Sequence, residues 1–266
     1  MNISSTALLA DLERISQARP LVHNLTNYVV MNTTANALLA LGASPVMAHA
    51  EEELEEFVAM ASAVVINIGT LDAGWIAAYR KAIIHALHYK KPLVLDPVGA
   101  GATHLRTDTC LELLGQGGVT LLRGNASEIA SLAGAAGATK GVDSTLSSQG
   151  MDTHAQALIE RFGVAVCISG EVDYVFGTDG SRYELAGGNP MMPYVTGMGC
   201  TATAICGAFL AVNPNPAQAA AHAMALLNLA GEQAGKKAHG PGDLKACLFN
   251  AIYHLDARTV EERYGH

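Results

Sequence analysis

The amino-acid sequence predicts a three-layer α/β/α sandwich: a mostly parallel central sheet with an antiparallel edge, covered by helices on both faces. Three observations predict it. Short apolar runs rich in Val, Ile and Leu recur, each followed by a Gly-bearing turn. Between the runs lie Ala-rich segments of helical length. Late in the chain this alternation gives way to a hairpin signal.

In chain order, the segment Pro20-Leu21-Val22-His23-Asn24-Leu25-Thr26-Asn27 is rich in neutral hydrogen-bonding groups. It leads into a helix expected to be capped by Asn32 or Thr33 and to end at Leu41-Gly42. The first apolar run is Val64-Val65-Ile66-Asn67-Ile68-Gly69, and Pro92-Leu93-Val94-Leu95-Asp96-Pro97 is the next. Two more follow, at residues 119–124 and 164–170. Their apolar character is continuous rather than alternating, as in strands buried on both faces of a parallel sheet. Segments 73–88 and 151–162 read as helices between them. Residues 173–177 and 181–185 flank Thr178-Asp179-Gly180, a hairpin signal that supplies the antiparallel edge. Beyond it the chain reads as helices over 199–212, 216–236 and 244–258. With no low-complexity linker and no internal repeat, residues 1–266 are expected to form one domain.

Half of the 266 residues are hydrophobic and only 15% are charged, so part of the surface is expected to be covered by partner subunits. A net charge of −8 argues against a nucleic-acid partner. It leaves phosphate ligands open, because backbone N–H groups hold phosphates without lysines. Cys110, Cys167, Cys200, Cys206 and Cys247 have no metal-ligand spacing, and their odd number predicts reduced thiols and a cytoplasmic location. Residues 1–16 carry Asp11 and Glu13 and lack a cleavable apolar core, so no signal peptide is expected. No charged residue lies between Glu184 and Glu232, yet the apolar stretch 202–212 is too short to span a bilayer. Buried helices are expected there, and no membrane partner.

In open α/β sheets, ligands bind outside the carboxyl ends of the strands. This sequence gathers polar and Gly residues at those ends: Gly69-Thr70, Asp96-Pro97-Val98-Gly99, Arg123-Gly124-Asn125 and Ser169-Gly170-Glu171. Val195-Thr196-Gly197-Met198-Gly199-Cys200 runs straight into another helical segment. It reads either as a tight turn or as a nest of main-chain amides for a phosphoryl group. Gly197 and Gly199 would let the backbone approach the ligand. Cys200, in the first helical turn, reads as a thiol of lowered pKa or as a packing residue. Asn125 and Glu128 form a capping box by spacing. Glu128 with Asp96 would alternatively organise Mg²⁺, which prefers few carboxylates plus phosphates. Arg123 reads as a phosphate ligand or a surface ion pair. Met47 offers an apolar contact to a flat ring or a core side chain, and the neutral groups around Asn27 suit an uncharged heterocyclic alcohol.

Taken together, these blocks resemble the hydroxyethylthiazole kinase family, a ribokinase-like group of thiamine salvage. The resemblance rests on residues 20–36 (PLVHNLTNYVVMNTTAN), 40–47 (ALGASPVM), 67–71 (NIGTL) and 95–103 (LDPVGAGAT). It continues through 123–129 (RGNASEI), 169–173 (SGEVD) and 195–200 (VTGMGC). It implies ATP- and Mg²⁺-dependent phosphorylation of 4-methyl-5-(2-hydroxyethyl)thiazole. By the same resemblance, Arg123 and Ser169 would contact ATP, with Asn125 beside them. Met47 and Gly197 would contact the thiazole, helped by Asn27, and Cys200 would stand where many ribokinase-like kinases carry a catalytic Asp. Ser169 stands where relatives often carry Thr, and Met198 is bulkier than expected between two glycines. Members look like homotrimers with active sites between subunits. The rival readings are a kinase of another small alcohol such as hydroxymethylpyrimidine, an ATP-dependent dehydratase of hydrated nicotinamide nucleotides, and a non-catalytic binding protein.

Overall fold

The computed structural model describes residues 1–135 and 148–265. Its strands are β1 (Leu21–Leu25), β2 (Ser44–Val46), β3 (Ala63–Asn67), β4 (Leu93–Asp96), β5 (Leu121–Asn125), β6 (Ala165–Ser169), β7 (Val172–Phe176) and β8 (Arg182–Ala186). They form an eight-stranded sheet in the order β2-β1-β3-β4-β5-β6-β7-β8. Every pairing from β2 to β6 is parallel, and β7 and β8 add the antiparallel edge.

Helices cover both faces. On one lie α1 (Ser5–Ala18), α2 (Met31–Leu41), α8 (Met198–Leu210), α9 (Pro216–Gly235), α10 (Pro241–Tyr253) and α11 (Ala257–Tyr264). On the other lie α3 (Leu54–Met60), α4 (Ala73–His88), α5 (His104–Gly115), α6 (Ala126–Ala135) and α7 (Ser148–Phe162). The period of two in a strand sorts the core between these layers. Val65, Val94 and Leu121 pack toward α8 and α9, whereas Val64, Ile66, Leu93 and Leu122 pack toward α4 to α7. The four continuous apolar runs are thus central strands with both faces buried.

Several boundaries differ from expectation for local reasons. The helix after residue 27 starts at Met31, and neither Asn32 nor Thr33 caps it; Val30 precedes it with no side-chain cap. The segment 244–258 is two helices, because Asp256 accepts the N–H of Thr259 and starts α11 afresh. Asn215 caps α9 in the same way, accepting from Gln218 at 3.0 Å. The uncharged stretch is a pair of packed helices, and no helix among the described residues is long and apolar enough to cross a membrane.

The sheet order places β1 between β2 and β3, so the chain leaving β1 passes to α2 on one face and the chain leaving β3 passes to α4 on the other. Diverging connections open a crevice at the carboxyl ends of those strands. Asn27, just beyond β1, and Asn67, at the end of β3, meet there at 2.7 Å.

Candidate active site

Next to that crevice, the carboxyl ends of β4, β5 and β6 and the N-terminus of α8 open on one cavity of about 990 Å³. Asp96, Arg123, Asn125, Glu128, Ser169 and residues 197–200 all line it. The turn into α8 follows from its two glycines. Gly197 has φ +85°, and a Cβ there would strike Val30 Cγ1 at 2.7 Å. Gly199 lies so close to Arg123 that a Cβ would stand 2.9 Å from Nη1. The first intrahelical bond is Thr201 N–H to Gly197 O, at 2.8 Å. The N–H groups of Met198, Gly199 and Cys200 precede it and are left for a ligand, as at any helix start. Met198, the bulky residue between the glycines, has its side chain packed on the core beneath α8.

Arg123 is buried, not a surface ion pair. Its Nη2 donates to Ser169 Oγ at 2.6 Å, which ties β5 to β6. Burial opposes its charge, but the neighbouring Asp96 foremost holds its pKa above the ordinary value. Asn125 and Glu128 do form the capping box. Asn125 Oδ1 accepts the Glu128 N–H at 2.9 Å, and Glu128 Oε2 accepts the Asn125 N–H at 2.8 Å. Glu128 Oε1 also accepts the Gly99 N–H at 2.8 Å, locking the loop after β4. Capping does not exclude a place in the site, since both residues face the cavity.

Asp96 is 2% exposed, and burial pushes its pKa up to about 6 while Arg123 and the Thr203 hydroxyl pull it down. Its Oδ2 accepts from Asn67 Nδ2 at 2.7 Å and from Thr203 Oγ1 at 2.6 Å. Among the described residues no hydrogen bond reaches Oδ1 of this cavity-lining carboxylate. No group of three or more His, Cys, Asp or Glu among the described residues converges to hold a metal by protein ligands alone. A donor set of one open carboxylate oxygen with a second carboxylate nearby fits Mg²⁺, which keeps waters and draws on phosphates.

The expectation of a lowered pKa at Cys200 is overturned. Burial pushes the thiol up to about 11, and the charge of Asp96 adds to the rise, outweighing the amides of Asn67 and Asn27 and the guanidinium of Arg123. Asn27 is 3% exposed and donates to Cys200 Sγ at 3.4 Å, so it lies beside the cavity's sulfur-lined end. Met47 is half-buried just past β2, at the edge of the sheet. β1 and β3 stand between it and β4, and it does not line the cavity. Cys110, Cys167 and Cys206 are buried packing thiols, and all five cysteines are free.

Sequence reasoning missed Asn67, Thr203, Asp173 and Asn228. Asp173 lines the cavity, accepts the Gly170 N–H at 3.1 Å and receives Asn228 Nδ2 at 3.0 Å. It stands at the end of the SGEVD block, while Asn67 opens NIGTL, so position in those blocks was the available signal.

A model of the "HK: Hydroxyethylthiazole kinase family" matches residues 12–258. The chain belongs to the hydroxyethylthiazole kinase family. A hydroxyethylthiazole kinase from Leptospira biflexa is 49% identical over 256 residues, covering 96% of this chain and 95% of that protein. The structure of a hydroxyethylthiazole kinase from Pyrococcus horikoshii OT3 superposes with a TM-score of 0.89 at 44% identity, covering 97% of each chain. A ribokinase-like superfamily protein from Enterococcus faecalis superposes with a TM-score of 0.61 at 19% identity, covering 87% of this chain and 86% of that one. That last likeness shows the fold alone, and the fold is ribokinase-like. For a hydroxyethylthiazole kinase family member, a cavity joining helix-start amides, a guanidinium and two carboxylates is chemically apt.

Proposed function

We propose that the chain is a hydroxyethylthiazole kinase, a phosphotransferase with an alcohol acceptor, carrying ATP's γ-phosphoryl group to the hydroxyl of 4-methyl-5-(2-hydroxyethyl)thiazole. The observation that carries this reading is the single cavity shared by the α8 N-terminus, Arg123, Asp96 and Glu128. In the reaction the hydroxyl oxygen bonds to the γ-phosphorus, and the bond to the β–γ bridging oxygen breaks with its electron pair leaving on ADP. The amides of residues 198–200 and the Arg123 guanidinium stabilise the charge on the transferring oxygens. Ser169 and Asn125 line the nucleotide side, and Gly197 and Asn27 lie toward the acceptor. Cys200 takes the hydroxyl proton in its ionised form. Little basic strength is asked of it, because bonding to the nucleophile is weak in a loose transition state.

Asp96, with Glu128 through water, would hold Mg²⁺. When bound, the ion would supply positive charge that neutralises phosphate oxygens and offsets the carboxylate that, after burial, adds to the rise of the Cys200 thiol. The reading includes a single kinase domain over 1–266, supported by one sheet whose two faces both carry core clusters. It includes a cytoplasmic location, supported by five free thiols. It also includes a homotrimer, in which Met47 at the sheet edge would work at a subunit boundary.

The test is mass spectrometry of the purified protein incubated with ATP, Mg²⁺ and the thiazole alcohol. The thiazole monophosphate and ADP should accumulate in equal amounts. Phosphorylation of hydroxymethylpyrimidine in its place would redirect the acceptor assignment, and absence of ADP would leave a binding protein.

A further inference from the structure

The proton-accepting end of the site and its phosphate end meet in one buried side chain. Asn67 is 1% exposed, and its Oδ1 accepts from the Gly69 N–H at 3.0 Å and from Asn27 Nδ2 at 2.7 Å. Its Nδ2 donates to Asp96 Oδ2 at 2.7 Å. The Gly69 contact decides which end of the amide is oxygen, because a backbone N–H only donates. The NH₂ of Asn67 therefore faces Asp96.

Asn27 is oriented by the same logic. Its Oδ1 accepts the Val29 N–H at 3.1 Å, so its NH₂ faces Asn67 Oδ1 and, at 3.4 Å, Cys200 Sγ. Two main-chain N–H groups thus set two amides, and the sulfur and the carboxylate at the ends of the chain both receive donors. Thr203 Oγ1 gives Asp96 Oδ2 its second donor at 2.6 Å. A buried Asn whose role is to join strand ends would not need both of its side-chain partners to lead to reacting groups. We propose that Asn67 is a positioning residue for phosphoryl transfer, holding Cys200, through Asn27, in register with the Asp96 carboxylate. This rests on the roles proposed above for Cys200 and Asp96.

The experiment compares Asn67→Leu, similar in shape but unable to hydrogen-bond, and the milder Asn67→Ser with the native enzyme and Asp11→Asn. Asp11 lies in a buried cluster with Asn213, beyond the far end of α8. Turnover, KM for ATP and the iodoacetamide alkylation rate of Cys200 in ligand-free protein, located by peptide mass spectrometry, are read together. Turnover should fall about 100-fold, as a misplacement near 1 Å costs. KM for ATP should stay within about twofold because Arg123 and Ser169 are held independently of Asn67, and Cys200 alkylation should change severalfold. Asp11→Asn should lose stability and keep turnover. The inference is overturned if either folded Asn67 variant turns over at the native rate, or if Cys200 reactivity is unchanged while turnover and ATP affinity weaken together. Cys200→Ala and Asp96→Ala separate the two levels. Their losing turnover while Asn67→Leu keeps it removes the inference alone, and their keeping turnover removes the underlying roles as well.

Discussion

Gly199 and Cys200 are adjacent, and each carries a prediction that a generic turn would not make. The backbone of Gly199 is helical, so a valine there is tolerated by the main chain. Its Cβ would nevertheless meet Arg123 Nη1 at 2.9 Å, and that guanidinium cannot swing away without breaking its 2.6 Å bond to Ser169. Gly199→Val should therefore cut turnover by at least ~100-fold, the scale of losing a transition-state donor, in a protein that still folds but melts lower. A folded variant with native kinetics would show that the Arg123 guanidinium does not act on the phosphate from this position. At Cys200 the helix start was legible in the sequence, but its consequence was not. A helix terminus contributes ~0.3–1 kcal/mol, less than burial costs a thiolate beside a carboxylate. With the pKa near 11, the thiolate fraction at pH 7 is about one in ten thousand. Alkylation of Cys200 in ligand-free protein should then rise about tenfold per pH unit from 7 to 10. A plateau below pH 9 would mean the thiol is ionised far more easily than its surroundings allow.

Elements were legible where their residues speak in one voice. β3, β4, β5 and β6 are unbroken apolar runs, and each lies inside the sheet. β1 was hidden because His23 and Asn24 interrupt it, although both are fully buried. His23 reaches Ala48 O at 2.8 Å and Asn24 donates to Val22 O at 2.8 Å, contacts that no periodicity reveals. β2 is three residues at an edge with Pro45 in its middle, below what pattern reading detects. Asn67 sat unnoticed within an apolar run because its partner Asn27 is forty residues away. The first helix hid a comparable long-range tie. Asp11 is 1% exposed and its Oδ2 meets His222 Nδ1 at 2.7 Å and Asn213 Nδ2 at 2.7 Å, pinning α1 to α9 and to the loop before it. Burial alone would raise its pKa, but His222, Asn213 and Arg14 together bring it below the ordinary value. A carboxylate whose folded pKa is lowered stabilises above its unfolded value, near 4, and loses that contribution as pH falls through the lower folded one. Asp11→Asn should cost ~2–4 kcal/mol in urea unfolding at pH 7, and the gap to the native protein should shrink toward pH 3. A gap independent of pH would assign the cost to packing instead.

At the scale of the molecule, the low charge fraction that suggested covered surface has a counterpart in what the folded chain leaves outside. Tyr28, Val29 and Leu39 are 58%, 64% and 59% exposed at or on α2, and Tyr194 and Tyr253 are 78% and 70% exposed. Leu39, Tyr194 and Tyr253 belong to neighbouring elements, since α2 packs on α10 and the turn at Met192–Tyr194 packs on α10 as well, whereas Tyr28 stands edge-on to Trp75 of α4. Scattered apolar side chains are ordinary on a monomer, whereas a group of large ones around packed helices suits a subunit contact. The cavity from Asp96 to Asn228 is lined by residues of one chain, while Met47 stands apart from it at the sheet edge. Assembly and acceptor binding should therefore be linked, and assembly and ATP binding should not. If the proposed trimer forms, Leu39→Glu with Tyr194→Glu should convert it to monomers in sedimentation velocity and raise KM for the thiazole at least tenfold, with ATP still binding at near-native affinity. Monomers that keep the native thiazole KM would mean that one chain supplies the whole acceptor pocket. A native protein that sediments as a monomer at all concentrations would remove the trimer and leave the exposed apolar group without an occupant.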